Sequence, residues 1–407
     1  MNVFDYLLWR GDLELYRDPM NDIDNLILSQ MSYINFTGIV SASFDDEPVL
    51  IADAAAKYAS SITEEQALAE SQHDTACRLL LTKMSKTKRF GQCTLTGYRK
   101  IISRLSECQF AVVTIVLPDG SQYVSFSGTD GSLVGWKENF NMLYMAHVPG
   151  QQFALDYLTE LCSKTISPIN VGGHSKGGNL AVYASMHLPQ LLQAHIGLVY
   201  NNDGPGFPED VIHTERYFRI RDKVRTIIPE CSVVGLLMEH ESRYSVVKSS
   251  AYGIEQHSVF TWQVLGNELD YADHLDKASL HLEQLLDAWL SKIDKDQRKL
   301  IVDRLFEAFD KYNITSSDNL SHMNLRTTLE LLHDIQHLDP EHASEFQKIV
   351  KLYLASYSRL TAERKSIKEN SAQIRTVLLR TRKKVMHEMD EGTVNLSKKE
   401  TGRTKPT

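Results

Sequence analysis

Residues 169–181 hold the pattern that most constrains this chain, a serine between small residues where a strand meets a helix. Gly173 and Gly177 lie two residues either side of Ser175, which is the Gly-x-Ser-x-Gly spacing of a nucleophile elbow. Such a turn strains the serine backbone, and only neighbours without bulky side chains tolerate the strain. An apolar run precedes the pattern and helical spacing follows it. This context predicts a strand, a sharp turn with an accessible serine oxygen, and a helix from Lys176.

A second segment supplies a β-hairpin and a polar loop. Two β-rich runs between residues 111 and 126 are joined by a Pro-Asp-Gly turn at 118–120, and Thr129 follows the second run. Taken alone, this loop is typical of an ordinary strand end. A serine hydrolase, however, needs backbone N–H donors aimed at the oxyanion of its tetrahedral intermediate. We therefore expect one donor from Lys176, directly after the serine, and the other from Thr129.

Together these segments resemble the class 3 (fungal-type) lipases of the α/β-hydrolase fold. The resemblance rests on residues 126–129 (FSGT), on Trp136 and on the Gly-His-Ser-x-Gly-Gly stretch, and it covers about residues 108–265. It implies acyl-ester hydrolysis. It also implies an α/β fold with an α/β-hydrolase-like, mostly parallel sheet and with helical N-terminal and C-terminal additions.

Over roughly residues 1–340 the chain is more similar to a bacterial family of unknown function that has the same core. This closer family implies no established substrate. The residues that carry the similarity are 4–7, 9–12, 24–29, 201–207 and 253–257.

Two departures from the lipase pattern bear on the site. The lipases usually carry an apolar residue after the nucleophile, whereas this chain has Lys176. They also place the triad acid just before a Val-Pro or Ile-Pro step, whereas Thr226 precedes the comparable step at residues 227–229. The acid must therefore come from another position.

The acid is predicted from chain order, which in this fold runs serine, acid, histidine. Asp203 follows the first strand-like run after Ser175 and lies at its carboxyl end, where α/β sheets place ligand-facing residues. A simple Asp-Gly turn is the competing interpretation of Asp203. Asp222 and Glu230 remain alternative acids.

The base is predicted from the same order. His257 lies late in the chain, after a candidate strand, as a general base that accepts the serine proton should. His240 is the alternative base. His174, beside the nucleophile, is expected to support the elbow rather than to catalyse.

Four regions are predicted along the chain. Their order follows from a helical pattern, then alternating strands and helices, then two apolar helical stripes, then a basic segment. They are a helical N-terminal segment that packs on the core (1–107), an α/β-hydrolase core (108–268), a helical C-terminal region (269–360) and a basic, helical to disordered tail (361–407).

Composition excludes several functional classes. The net charge of −8 argues against a nucleic-acid partner, although residues 361–407 carry 12 basic and 6 acidic side chains. That tail is a candidate for peripheral membrane contact, with a solvated helix end as the favoured alternative. No phosphate-binding loop, dinucleotide fingerprint or zinc motif is present, so we expect neither cofactor nor metal.

The expected location is cytoplasmic. Five cysteines without CxxC spacing indicate reduced, buried thiols. The first residues lack the basic and apolar regions of a signal peptide, and no apolar run has the length of a membrane span.

Two functional hypotheses follow. The first is a serine hydrolase of esterase or lipase type, with Ser175, His257 and Asp203 as its triad and a small-molecule acyl ester as its substrate. The second is a catalytically inactive binding or scaffold protein of the same fold. The sequence leaves open the chain length and head group, hydrolase against acyltransferase, and the oligomeric state. We expect short-to-medium acyl esters, with a cleft lined by Leu133, Trp136, Phe140 and Met142.

Overall fold

A nine-stranded sheet organises the part of the chain that the computed structural model describes, namely residues 1–240, 243–314, 316, 325–339 and 348. Its strands follow the order β1-β2-β3-β4-β5-β6-β7-β8-β11, and β9 and β10 form a separate two-stranded hairpin. The strands are β1 Val49–Leu50, β2 Thr94–Ser103, β3 Cys108–Val116, β4 Gln122–Phe126, β5 Ile169–His174, β6 Ile196–Asn202, β7 Val224–Pro229, β8 Tyr244–Val247, β9 Val264–Leu265, β10 Glu268–Leu269 and β11 Tyr271–Ala272.

The central strands β4 to β8 run parallel, and antiparallel strands flank them on both sides. Parallel neighbours require long crossovers, and helices supply them on the sheet faces. The α/β fold class with an α/β-hydrolase-like sheet is therefore confirmed. Because β4, β5 and β6 are parallel, the loops that follow them meet at one edge of the sheet.

Helices cover both faces of the sheet. The described helices are α1 Val3–Arg10, α2 Asp22–Ser29, α3 Ile51–Ser61, α4 Glu64–Ala69, α5 Gln72–Met84, α6 Leu133–Asn141, α7 Pro149–Lys164, α8 Lys176–His187, α9 Glu209–Ile212, α10 Glu215–Ile220, α11 Lys277–Leu290, α12 Lys295–Lys311 and α13 Leu325–Gln336. Among these helices none is long and apolar enough to cross a membrane.

Alternating strand residues divide the core into two clusters. Val113 and Tyr123 face the N-terminal helices α1, α2 and α5, and we call this side the N-terminal face. Val112 and Val124 face the opposite way, toward α7, α8 and α10, and we call this side the α8 face. The first helices of the chain thus form much of one layer on the sheet, together with residues 259–269.

A buried ion pair joins two distant parts of the N-terminal segment. Arg89 and Asp24 are both fully buried, and the Arg89 guanidinium also donates to the backbone carbonyls of Leu13 and Asp18. The segment also contributes β2, which pairs with β3 along its length. The sheet therefore extends into the region that the sequence assigns to helices.

The C-terminal helices cover part of α6. The Trp136 ring lies 6.1 Å from that of Phe309, and the Phe140 ring lies 6.0 Å from that of Phe306. Leu133 joins the same cluster. α12 therefore packs on residues that are expected to line a substrate cleft, although Phe140 stays 37% exposed, and that lining remains a prediction.

Contacts divide the chain into two units, Met1–Leu352 and Tyr353–Thr407. The predicted basic tail, with its candidate membrane contact, lies outside the described residues. All five cysteines are free thiols, and four of them are fully buried.

Candidate active site

Ser175 occupies a strained turn between β5 and α8. Its backbone has φ 57° and ψ −132°, a region that side chains other than glycine rarely adopt. The two flanking glycines are required by contact. A Cβ at Gly173 would lie 2.3 Å from the carbonyl carbon of Gly177, and a Cβ at Gly177 would lie 2.1 Å from the Phe126 oxygen. The predicted strand, turn and helix are all present.

Asp203 and His257 form a hydrogen-bonded pair at the same sheet edge. Asp203 follows β6 with a positive φ of 51°, and its side chain is fully buried. His257 ends a 3₁₀ helix, Gly253–His257, and its Nδ1 donates to Asp203 Oδ2 over 2.6 Å. The second carboxylate oxygen, Oδ1, accepts from Ser232 Oγ over 2.5 Å. Both carboxylate oxygens therefore have a donor, as a buried charge requires.

His174 connects the elbow to the segment that carries His257. Its Nε2 donates to the His257 backbone carbonyl over 2.7 Å, and the two rings lie 4.5 Å apart. Because Nε2 carries the proton, Nδ1 is the acceptor for the Tyr33 hydroxyl at 3.1 Å. Burial first, then the neighbouring histidines, hold the pKa of His174 well below its usual range. His174 is thus a neutral support, as the sequence predicts.

The N-terminal face supplies a third ring. His73, on α5, stacks on His174 with the ring centres 6.1 Å apart. Burial lowers the pKa of His73 to about 4, so this ring is also neutral at neutral pH. We call His73, His174 and His257 the histidine stack. Neither Tyr33 nor His73 has a local sequence signal that points to the site.

The loop after β4 lies directly against the nucleophile. A Cβ at Gly128 would approach Ser175 Cβ to 3.0 Å, so the next residue, Thr129, borders the elbow. The Thr129 side chain accepts a hydrogen bond from Asn139 on α6 over 2.6 Å. Lys176 is the first residue of α8, and its backbone N–H therefore has no intrahelical acceptor. The assignment of Thr129 and Lys176 as oxyanion donors remains a prediction.

The Lys176 side chain points away from the reacting centre. Its ammonium group is fully buried, and Nζ donates to Glu138 Oε2 over 2.6 Å, to Gln109 Oε1 over 2.9 Å and to the Gln109 carbonyl. Gln109 Oε1 also accepts from the Asp130 N–H at 3.3 Å. The unusual lysine therefore joins the elbow to the loop that carries Thr129.

The alternative acids and base lie elsewhere. Asp222 is 79% exposed and pairs with Arg243 at 2.9 Å. Glu230 is half-buried at the end of β7, where its N–H donates to the Val247 carbonyl. His240 is held neutral because burial lowers its pKa to about 4, and its Nε2 has no partner among the described residues. It is Asp203 and His257 that the structure brings together.

The hydrogen bond between serine and histidine that a catalytic triad uses is not formed in the part of the chain that this structure describes. Within the described residues, the Ser175 hydroxyl and the His257 ring form no hydrogen bond. Such bonds are often long in unliganded sites and shorten when substrate binds. The described ranges also contain no group of three or more His, Cys, Asp or Glu side chains placed to hold a metal.

Comparisons with known proteins identify the family. The sequence profile of the Mbeg1-like family matches residues 84–307, which is more than half of the chain, and the chain therefore belongs to the Mbeg1-like family. Among solved structures, M37 lipase is 16% identical, with 43% of this chain and 70% of that chain covered and a TM-score of 0.29. A Rhizomucor miehei lipase propeptide complex is 11% identical, with 63% and 76% covered and a TM-score of 0.33. No curated protein matches the chain.

Proposed function

We propose that this member of the Mbeg1-like family is a serine hydrolase that cleaves acyl esters. The observation that carries the proposal is the hydrogen bond between the buried Asp203 and His257, at the sheet edge where the strained Ser175 lies. A strained serine alone is a turn, and an Asp–His pair alone is a structural contact. Ser175 and Asp203 follow the adjacent parallel strands β5 and β6, and the hydrogen bond to Asp203 holds His257 beside them. This supports a nucleophile, an orienting acid and a base in one site.

The mechanism follows from the roles of these groups. Ser175 Oγ attacks the acyl carbonyl carbon while the Nε2 of His257 accepts the hydroxyl proton. Asp203 accepts from the Nδ1–H, which fixes the tautomer and stabilises the imidazolium. The carbonyl oxygen becomes an oxyanion, for which the N–H groups of Thr129 and Lys176 are the donors.

The second half of the cycle reverses the proton transfer. The tetrahedral intermediate collapses, the carbon–oxygen bond to the leaving alcohol breaks, and His257 returns the proton to that alcohol. Water then attacks the acyl-Ser175 ester with the same base, and the free acid leaves. His174 and His73 are neutral, so no cation from either ring adds to the imidazolium charge.

Free, mostly buried cysteines support our further proposal of a cytoplasmic location.

A second candidate is a catalytically inactive binding or scaffold protein. The observation that favours it is that, within the described residues, the Ser175 hydroxyl forms no hydrogen bond with the His257 ring. The combination of the intact Asp203–His257 pair with the strained Ser175 argues the other way, because the reaction uses all three residues.

A fluorophosphonate probe separates the two candidates. We expect the purified protein to be labelled on Ser175, since a serine reacts fast at neutral pH only when it is activated. Ser175→Ala should abolish labelling and leave the thermal midpoint nearly unchanged. Ser185→Ala is the matched control, because this α8 serine donates to the Ala181 carbonyl and has no role in the site. A folded protein that resists probes of several sizes would establish the binding function instead.

A further inference from the structure

A cleft of about 380 Å³ opens beside α8, on the α8 face of the sheet. It is lined by residues of α8, by residues of the segment 206–219, and by Met142, Met145 and Met238. This size lies in the range of small-molecule sites. Met142, which the sequence places in the lining of a substrate cleft, is one of the residues that line this cleft.

The cleft begins close to the nucleophile. Asn179 lies four residues after Ser175, about 6 Å along the helix axis, and His187 lies about 12 Å further along the same helix. The near end is held rigidly, because Asn179 Nδ2 donates to the carbonyls of Pro205 and Gly206, just after Asp203. The cleft and the acid are therefore fixed by the same segment of backbone.

The two ends of the cleft differ in chemistry. Apolar side chains dominate the part nearer the elbow, where Met142, Phe207 and Met238 lie. Arg216 lies near Tyr183 and His187 at the far end, where Arg219 and one acid, Glu215, also line the cleft, so this end carries a net positive charge. Arg219 is held by a 3.0 Å hydrogen bond from its Nε to Gln193 Oε1, which leaves Arg216 as the more adaptable cation.

The position of the cleft relative to the sheet indicates whether the acyl chain or the alcohol of an ester occupies it. His257 must protonate the leaving oxygen, and the histidine stack brings its ring toward His73 and the N-terminal face. The cleft lies on the α8 face, among Tyr183, Met186 and Phe207. The alcohol is therefore expected on the N-terminal side and the acyl chain on the α8 side.

We propose that this cleft binds the acyl chain of the substrate, and that the chain ends in an anionic group, a carboxylate, which pairs with Arg216. The proposal rests on the proposed ester hydrolysis for its reaction. The apolar part of the cleft takes the methylene chain, and the positive end selects a charged terminus over a methyl group. The substrate class is thus an ester of a medium-length dicarboxylic acid.

The test compares two esters of one chain length, the p-nitrophenyl monoester of decanedioic acid and p-nitrophenyl decanoate. We expect kcat/KM to be about five-fold higher for the charged ester, the size of an ion pair at a partly exposed site. Arg216→Gln should remove this preference. Arg225→Gln makes the same charge change at an exposed residue of β7 that does not line the cleft, and this variant should keep the preference for the charged ester. Equal kcat/KM for both esters in the unaltered protein would overturn the proposal.

A binding measurement separates this proposal from the proposed function. Calorimetry with decanedioate and the Ser175→Ala variant reports on the cleft without any reaction. We expect binding that weakens about five-fold in Ser175→Ala/Arg216→Gln. Binding that depends on Arg216 in a protein that fluorophosphonates do not label would retain the site and reject the hydrolase. Labelling of Ser175 with no decanedioate binding would reject the site and retain the hydrolase.

Discussion

Lys176 and Glu138 form a fully buried ion pair immediately after the nucleophile, with Nζ and Oε2 2.6 Å apart. Glu138 is satisfied further by the N–H groups of Gln109 and Gly150, at 3.0 Å and 2.7 Å. The pair thus joins the elbow, α6, α7 and the start of β3. An apolar residue after the nucleophile would fill the same space without fixing these four elements to one another.

The stability of the fold should depend on keeping this pair balanced. We expect Lys176→Met or Glu138→Leu alone to lower the free energy of unfolding by about 3 kcal/mol, because each leaves one buried charge unpaired. The double variant should recover most of the loss. Urea unfolding measures all three.

An exposed pair provides the control for that experiment. Lys164 pairs with Asp45 at the surface, where Asp45 is 73% exposed, and Lys164→Met should cost less than about 1 kcal/mol. If Lys176→Met and Glu138→Leu lowered the free energy of unfolding no more than this control does, an unpaired buried charge would not be what destabilises the fold.

The acid and the base should be distinguishable from their alternatives by activity. His257→Ala should lower kcat by about 10⁴-fold, as should Ser175→Ala, because triad members act as a unit. Asp203→Asn should cost somewhat less. His240→Ala and Asp222→Asn are the matched controls and should retain activity in an ester-hydrolysis assay. A dead His240→Ala beside an active His257→Ala would reassign the base.

Ser232 should act as a positioning residue for the acid. Its hydroxyl donates to Asp203 Oδ1 and accepts the Gly235 N–H at 3.0 Å. We expect Ser232→Ala to lower kcat by about ten-fold with little change in KM, because the lost bond frees the carboxylate to rotate. Steady-state kinetics should show this split. Ser249→Ala, whose hydroxyl bonds Thr261, serves as the control, and an equal loss there would indicate a general structural effect.

The stability of the fold should fall in mild acid because of His73. Its pKa is about 4 in the folded state against 6.5 when free, so between these values the unfolded chain binds more protons. The contribution of His73 is complete above pH 6.5 and is lost as the pH falls toward 4, by about 3 kcal/mol in total. Urea unfolding at pH 7, 5.5 and 4.5 should show a shallower decline in His73→Gln. Parallel declines in both proteins would exclude this role.

The turn at Ser175 and the pairing of Asp203 with His257 could be predicted from sequence, the former because its geometry is local. The glycines around Ser175 are dictated by backbone contacts within a few residues, and chain order then led to Asp203 and His257. The contacts of Ser232 and Glu138 were not predictable. Ser232 lies 29 residues from Asp203 in the chain and Glu138 lies 38 residues from Lys176, and no spacing rule connects such distant residues. The packing of α12 on Leu133 and Trp136 was not predictable either, because helical periodicity does not reveal which helix contacts that face.

The histidine stack has a consequence for how the protein can be divided. The family profile begins at residue 84, yet His73 and Tyr33 lie before that boundary and pack on the elbow. A fragment cut to the profile would keep Ser175, Asp203 and His257 but would expose one flank of His174 to water. The part of the chain that matches the family profile is therefore not a transplantable module. Any excised or fused form must carry its first hundred residues along.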